Sequence, residues 1–237
     1  MPERFALYYA PPSTDPLWRR AAQWLGRDPA DAAANVSADI PGVAAARRLE
    51  TSASARRYGF HATMKAPMTL AAGTTRAELE AELRRFGSAR PLVGIGRLQV
   101  AWIEGFIALV PEHQSPALTG LAGEVVARFD HFRARLSDAE REKRIRGTEL
   151  SPRQIELLDA YGYPYVMEEF RFHMTLTDRL VDTDRNEIMA AAQSWFAPLL
   201  EKDYVLDRLA LFHEPAPGAP FMRLSDFPLT EKATVDA

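Results

Sequence analysis

The stretch RYGFHATMKAP, residues 57–67, sets a histidine and a threonine two apart inside an apolar run. EFRFHMTLTDRL, residues 169–180, repeats the arrangement 112 residues further on. Apolar and polar residues alternate in both, which predicts β-strands whose successive side chains point to opposite faces. In the first strand Tyr58, Phe60, Ala62 and Met64 then share one face, and Arg57, Gly59, His61, Thr63 and Lys65 the other. In the second, Phe170, Phe172, Met174 and Leu176 oppose Glu169, Arg171, His173, Thr175 and Thr177. One face packs against helices, while the other is a row of hydrogen-bond donors and cations.

Residues two apart on a strand are about 6.6–6.8 Å apart along the chain. A histidine and a threonine so placed both reach one phosphate-sized group, and two such strands in one sheet approach it from two directions. Imidazole gives or takes a proton near neutral pH. A threonine hydroxyl donates to a phosphoryl oxygen without acting as a strong base. Arg57, Lys65 and Arg171 are expected to add positive potential. The chain has five histidines, and about 0.3 His-x-Thr triplets would arise by chance. One such triplet is a weak signal; two, each preceded by phenylalanine, are specific.

Outward from the motifs, RFALYYA (4–10) reads as a strand stopped by Pro11 and Pro12. Its Tyr8 is the candidate ligand to the site, whereas Tyr9 shares a face with Phe5 and Leu7 and belongs to the core. Asp15 to Leu25 has helical spacing, residues 27–55 read as helix and loop, and RYGFHATMKAP as a strand ended by Pro67. Thr75 and Glu78, and later Ser151 and Gln154, form capping-box patterns for helices over 74–86 and from 151 to Tyr161-Gly162. Between Leu92 and Val110 two strands flank a Glu104-Gly105 turn, followed by a helix from Pro116 to Arg133. Residues 137–146 form a charged segment expected to be a solvated helix or loop. A helix from Arg185 to Leu200 and a closing hairpin around Pro217-Gly218 complete the chain. Each half mixes strands with helices and holds one Phe-His-x-Thr strand, so a divergent internal duplication within one domain, 1–237, is expected.

The 237 residues are 47% hydrophobic and 26% charged, ordinary for a globular protein with a sizeable core. No apolar run is long enough to span a bilayer, and MPERFALYYAPP lacks a signal-peptide pattern, which predicts a cytoplasmic location away from membranes. The absence of cysteine excludes disulfides, thiolate metal sites and a cysteine nucleophile. A net charge of −3, with only four lysines against 25 arginines, argues against nucleic acid as a partner.

The paired motifs resemble those of the two-histidine (2H) phosphoesterase superfamily, which includes RNA 2′-5′ ligase-like proteins and cyclic phosphodiesterases. The similarity runs through RFALYYAP, HATM, GFIALVPE, HMTL and ALFHEPAPGAPFMRLSDFPL. RYGFHATMKAP and YGYPYVMEEFRFHMTLT resemble a branch encoded in phosphonate-utilisation operons. An enlarged segment at 27–55 and a charged insertion at about 137–165 depart from the simplest members. The resemblance implies a bilobal, pseudo-two-fold α+β fold, with antiparallel sheets forming a central cleft and helices packed outside. It further implies metal-independent chemistry, with no cofactor, at a small and often cyclic phosphodiester. His61 and His173 would be the acid–base pair, and Thr63 and Thr175 would hold the phosphoryl oxygens. The operon association suggests a phosphorylated ribose, such as a ribose cyclic phosphate.

Three other readings compete: a non-catalytic module holding a phosphorylated ligand, an RNA-end processing enzyme, and a metal site. A metal site needs three or more ligands. Glu169 and Asp178 are the nearest carboxylates in sequence, and strand alternation points Asp178 away from His173. His113 is expected to be a loop residue and His131 to be exposed; His213 could approach the cleft from the last strand, with an edge or surface role favoured.

Overall fold

The computed structural model describes residues 3–146 and 149–230. Residues 147–148 of the charged insertion, and the first two residues of MPERF, lie outside the described residues. Eight strands form an antiparallel sheet: β1 (Arg4–Tyr9), β2 (Ala62–Met68), β3 (Val93–Ile103), β4 (Phe106–Pro111), β5 (Met174–Thr175), β6 (Asp203–Leu206), β7 (Arg208–Glu214) and β8 (Met222–Pro228). Their spatial order is β6-β3-β4-β5-β2-β1-β7-β8. The fold is thus α+β, and the two motif strands, β2 and β5, are neighbours at the middle of the order.

The two-fold pattern is visible in the connections. Each motif strand follows in sequence the strand it pairs with on its outer side, β1 before β2 and β4 before β5. The lobes do not, however, coincide with the halves of the chain. The C-terminal hairpin β7–β8 pairs with β1 and so completes the lobe that holds the first motif. β3 and β4 pair with each other, and β6 extends them, around the second motif. The expected duplication is therefore an interleaved one.

Local chemistry explains most helix ends. Helix α1 (Pro16–Leu25) starts at Asp15, whose carboxylate accepts from Leu17 N at 2.7 Å, and stops at Gly26 with φ 66°. After the short helices α2 (Ala45–Glu50) and α3 (Ala53–Tyr58), helix α4 (Arg76–Ser88) opens with the expected Thr75–Glu78 capping box. Helix α5 (Pro116–Arg128) ends earlier than expected, in a 3₁₀ turn at Asp130–Phe132. The charged segment forms α6 (Asp138–Ile145), a helix with no buried residue, capped by Ser137 and Glu140. Helix α7 (Pro152–Tyr161) runs between Ser151 and Gly162, as the capping pattern predicts, and α8 is Asp182–Leu200.

The core lies between the sheet and the helices, with β1 buried from Phe5 to Tyr9 and Trp18 and Trp24 of α1 fully enclosed. Trp24 donates its indole N–H to the Leu176 carbonyl at 2.9 Å, which ties α1 to the end of the second motif. Burying an indole N–H requires such an acceptor, so this bond also fixes the depth of the helix.

The first motif is not one continuous strand. Arg57 and Tyr58 belong to the last turn of α3, which Gly59 terminates at φ 82°. β2 then runs through Pro67 rather than stopping at it; β5 reaches only the opposite end of β2, so no inner partner needs the missing N–H.

Candidate active site

β2 and β5 pair antiparallel through Ala62 and Met174. Extending that register by one residue each way sets His61 opposite Thr175 and Thr63 opposite His173. Directly opposed residues have Cβ atoms about 4.5–5.5 Å apart, and diagonal ones about 7–8 Å. Each histidine therefore faces the other motif's threonine, and the four side chains enclose a diamond. All four line one cleft of about 490 Å³, together with Tyr8, Tyr58, Phe106, Tyr163, Asp178 and Arg179.

The two rings are held alike. His61 Nδ1–H donates to the Gly59 carbonyl at 2.8 Å, and His173 Nδ1–H to the Arg171 carbonyl at 2.8 Å. A carbonyl accepts only, so both rings carry the proton on Nδ1 when neutral and turn Nε2 toward the cleft. The Thr63 hydroxyl donates to His61 Nε2 at 3.3 Å. Burial lowers the pKa of both. His61 falls to about 4, with the Gly59 bond opposing burial and His173 adding to it. His173 is also lowered by burial, while its bond to Arg171 and the charge of Glu104 resist the shift.

Tyr8 is in the cleft as expected. Its ring stacks on His61 at 3.6 Å between centroids and 17° between planes, and Tyr9 turns to Phe172 in the core. The three expected cations are elsewhere. A bulge in β2 sets Leu7 against Lys65 and Tyr8 against Thr63, so one step on β1 spans two on β2. Alternation breaks there. Ala66 follows Thr63 into the cleft, while Lys65 is buried at 3% exposure, donating to Asp130 at 3.0 Å and the Val126 carbonyl at 3.1 Å. Arg57, being helical, pairs with Glu214 at 2.7 Å and lies 4.4 Å over the Tyr58 ring. Arg171 is exposed, pairs with Glu104 at 3.2 Å and borders an open groove with Trp102 and Gln114.

The cation at the cleft is Arg179, which donates to the Glu104 carbonyl at 2.6 Å. Alternation gave no hint of it, because β5 is only two residues long and the chain turns after Thr175. Asp178 also faces the cleft, against expectation. Its carboxylate accepts from Ser54 N and Ala55 N at 2.9 Å each, and its own N–H donates to the Thr51 carbonyl at 2.7 Å. It thereby caps α3, the helix that leads into His61. Thr177, expected on the polar row, is buried and accepts from Ile107 N at 2.9 Å. His113 and His131 are exposed. His213 stacks on Phe5 and meets Glu3 at 2.6 Å, away from the cleft. Among the described residues no group of three or more His, Asp or Glu side chains is arranged to hold a metal ion. No helix among them is long and apolar enough to cross a membrane.

The chain is 37% identical over 231 residues to the "Ribose 1,5-bisphosphate phosphokinase PhnN" of Janthinobacterium sp. (strain Marseille), covering 96% of this chain and 51% of that protein. The protein of the same name from Laribacter hongkongensis (strain HLHK9) is 36% identical over 218 residues, covering 92% and 50%. The chain thus spans about half the length of the curated relatives it matches. Among solved structures, E. coli LigT complexed with 3′-AMP aligns at TM-score 0.45 and 15% identity over 98% of this chain and all of that one. A crystal structure described as a phosphoesterase aligns at TM-score 0.44 and 13% identity, over 98% and 100%. Residues 63–222 match the family described as "Protein of unknown function (DUF1045)". The chain belongs to that family, and its two His-x-Thr segments meet across one cleft.

Proposed function

We propose that this chain is a phosphodiesterase that opens a small cyclic phosphodiester by acid–base catalysis between His61 and His173, without a metal ion. The observation that carries this reading is the β2–β5 register, which sets each histidine opposite the other motif's threonine in one cleft. A binding module would need donors but not two imidazoles with Nε2 turned to a common centre.

The asymmetry of the two rings supports an unequal division of roles. His61, with a pKa of about 4, is neutral at the start of the reaction, and its Nε2 takes a proton from water as the water oxygen bonds to phosphorus. His173, the ring with Glu104 nearby, enters as imidazolium and gives its Nε2 proton to the departing ester oxygen. One P–O bond forms and one breaks; the products are a phosphate monoester and a free hydroxyl. Thr63, Thr175 and Arg179 hold the phosphoryl oxygens as charge builds, and one well-placed donor contributes on the order of 10²–10³ in rate. Because relatives at 37% and 36% identity bear a name concerned with a ribose bisphosphate, the organic part is proposed to be a pentose, as in ribose 1,2-cyclic phosphate.

The test is a hydrolysis screen comparing ribose 1,2-cyclic phosphate with nucleoside 2′,3′-cyclic phosphates, with and without chelator. Turnover of the sugar diester that survives chelation and disappears in His61→Ala and His173→Ala is the expected result. Retention of more than about a tenth of the rate in both variants would refute the assignment.

A further inference from the structure

Beside the cleft lies a second, larger chamber of about 860 Å³. Tyr58, Ala66, Pro67 and Tyr163 line both spaces, so the two adjoin across the bulged end of β2. Ala66 is three residues beyond Thr63, roughly 10 Å along a strand. The chamber walls carry seven cationic side chains: Arg4, Arg57, Lys65, Arg133, Arg135, Lys143 and Arg144. Four are already engaged. Arg4 and Arg57 share the buried carboxylate of Glu214, and Lys65 and Arg133 share Asp130 at 3.0 and 2.8 Å. Arg135, Lys143 and Arg144 form no ion pair among the described residues. Among the described residues Glu140 is the one carboxylate in the wall, so seven cations meet three carboxylates, an excess of four positive charges.

Such an excess is costly in a partly buried space unless an anion completes it. Arg144 is the clearest case: it reaches the Gly162 carbonyl at 2.5 Å, and burial, with the charges of Arg4 and Arg133, lowers its pKa against the opposing influence of Tyr163 and Glu140. A single-stranded nucleic acid wants cations and stacking rings strung along a groove. Here the cations surround one volume next to the reacting centre, which suits a compact, multiply charged group.

Resting on the phosphodiesterase reading above, we propose that the substrate carries a second phosphate, a monoester on a carbon remote from the scissile diester, and that the chamber beside the cleft binds it. Lys143 and Arg144 of α6, with Arg135 just before that helix, are the specificity-determining residues. Helix α6, which buries no residue of its own, together with the turn before it, is then the part of the chain that selects a doubly phosphorylated substrate over its singly phosphorylated counterpart.

The test compares a pentose cyclic phosphate with the same diester bearing a distal phosphate monoester. In the wild type the monoester should lower KM by tenfold or more; in Lys143→Ala and Arg144→Ala that advantage should fall by about tenfold, with kcat within about twofold. KM for the plain diester should not move. Lys143 is exposed, so its variant keeps the test valid should Arg144→Ala disturb the Gly162 contact. Equal KM values for the two diesters in the wild type, or equal changes for both in the variants, would overturn the proposal. Should the wild type cleave neither, the phosphodiesterase reading falls and calorimetry with inorganic pyrophosphate decides on the chamber alone. Binding weakened tenfold in Arg144→Ala but not in His61→Ala supports the chamber; no binding, or no such difference, ends it.

Discussion

The two motif segments share a local geometry and differ in what surrounds it. In both, a histidine just ahead of its strand donates Nδ1–H to the carbonyl two residues back, at 2.8 Å, and turns Nε2 to the same cleft. Around His61 the chain has built an aromatic box: Tyr8 stacks on it, with Phe212 at 6.1 Å and Tyr58 at 6.4 Å. Around His173, among the described residues, stand one ring, Phe106 at 5.7 Å, and a carboxylate, Glu104, on the β3–β4 turn. The same Nδ1 bond thus accompanies unequal proton affinity, because desolvation by rings and attraction by a carboxylate act on imidazole with opposite signs. The lesson is that two copies of one motif acquire unlike rings through their unlike neighbours.

The strongest way to break this comparison is to remove each ring in turn. His61→Ala and His173→Ala should each lower kcat by about 10²–10⁴. A diester with a good leaving group, such as a nitrophenyl ester, should restore much of the rate to His173→Ala and little to His61→Ala. Equal rescue of both would dissolve the distinction between base and acid.

Next in size is the threonine exchange. Thr175→Val, which removes the donor opposite His61, should cost about 10² in kcat with little change in KM, measured on the same diester. A change confined to KM would show ground-state binding instead.

The pH dependence sharpens the comparison further. The rate as kcat/KM should fall below the pKa of the base, about 4 for His61, and above that of the acid, held under 6.5 for His173. The optimum should therefore lie on the acid side of neutrality. Tyr8→Leu, by admitting water to His61, should raise the lower limb toward 6.5 and cost about tenfold in rate. Glu104→Gln should instead move the upper limb down by less than a unit. Motion of the other limb in either variant would contradict the assignment.

The smallest expected effect is on stability. Between pH 6.5 and about 4 the unfolded chain protonates at His61 while the folded chain resists, so stability should decline as pH falls through that window. Thermal denaturation of His61→Ala should show a shallower decline; an unchanged slope would place the acid sensitivity elsewhere.

Much of the site was legible from alternation alone. His61, Thr63, His173 and Thr175 stand together because a two-residue period carries each pair onto one face, and Tyr8 was separable from Tyr9 for the same reason. The three cations were misplaced because each depended on the period continuing. A helix replaces the strand at Arg57, a bulge inverts the phase at Lys65, and Arg171 precedes a strand of only two residues. Arg179 and Asp178 were missed by the same extrapolation, since the chain leaves the strand before it reaches them. Helix ends with side-chain caps, at Thr75 and Ser151, were readable because capping is a local transaction between residues three apart.

What the sequence determined by itself is therefore whatever is written within a few residues: strand faces, caps, the Glu104-Gly105 turn, with both φ values positive at 45° and 107°, and the pairing of two histidine–threonine units. The tertiary structure alone decided that β2 and β5 lie side by side, that the C-terminal hairpin joins the first motif's lobe, and that cations from the N-terminal strand, α3, the loop after α5 and α6 gather around one chamber. The physical reason is that strand neighbours and converging charges are set by the packing of segments far apart in the chain, which no periodicity within a segment encodes.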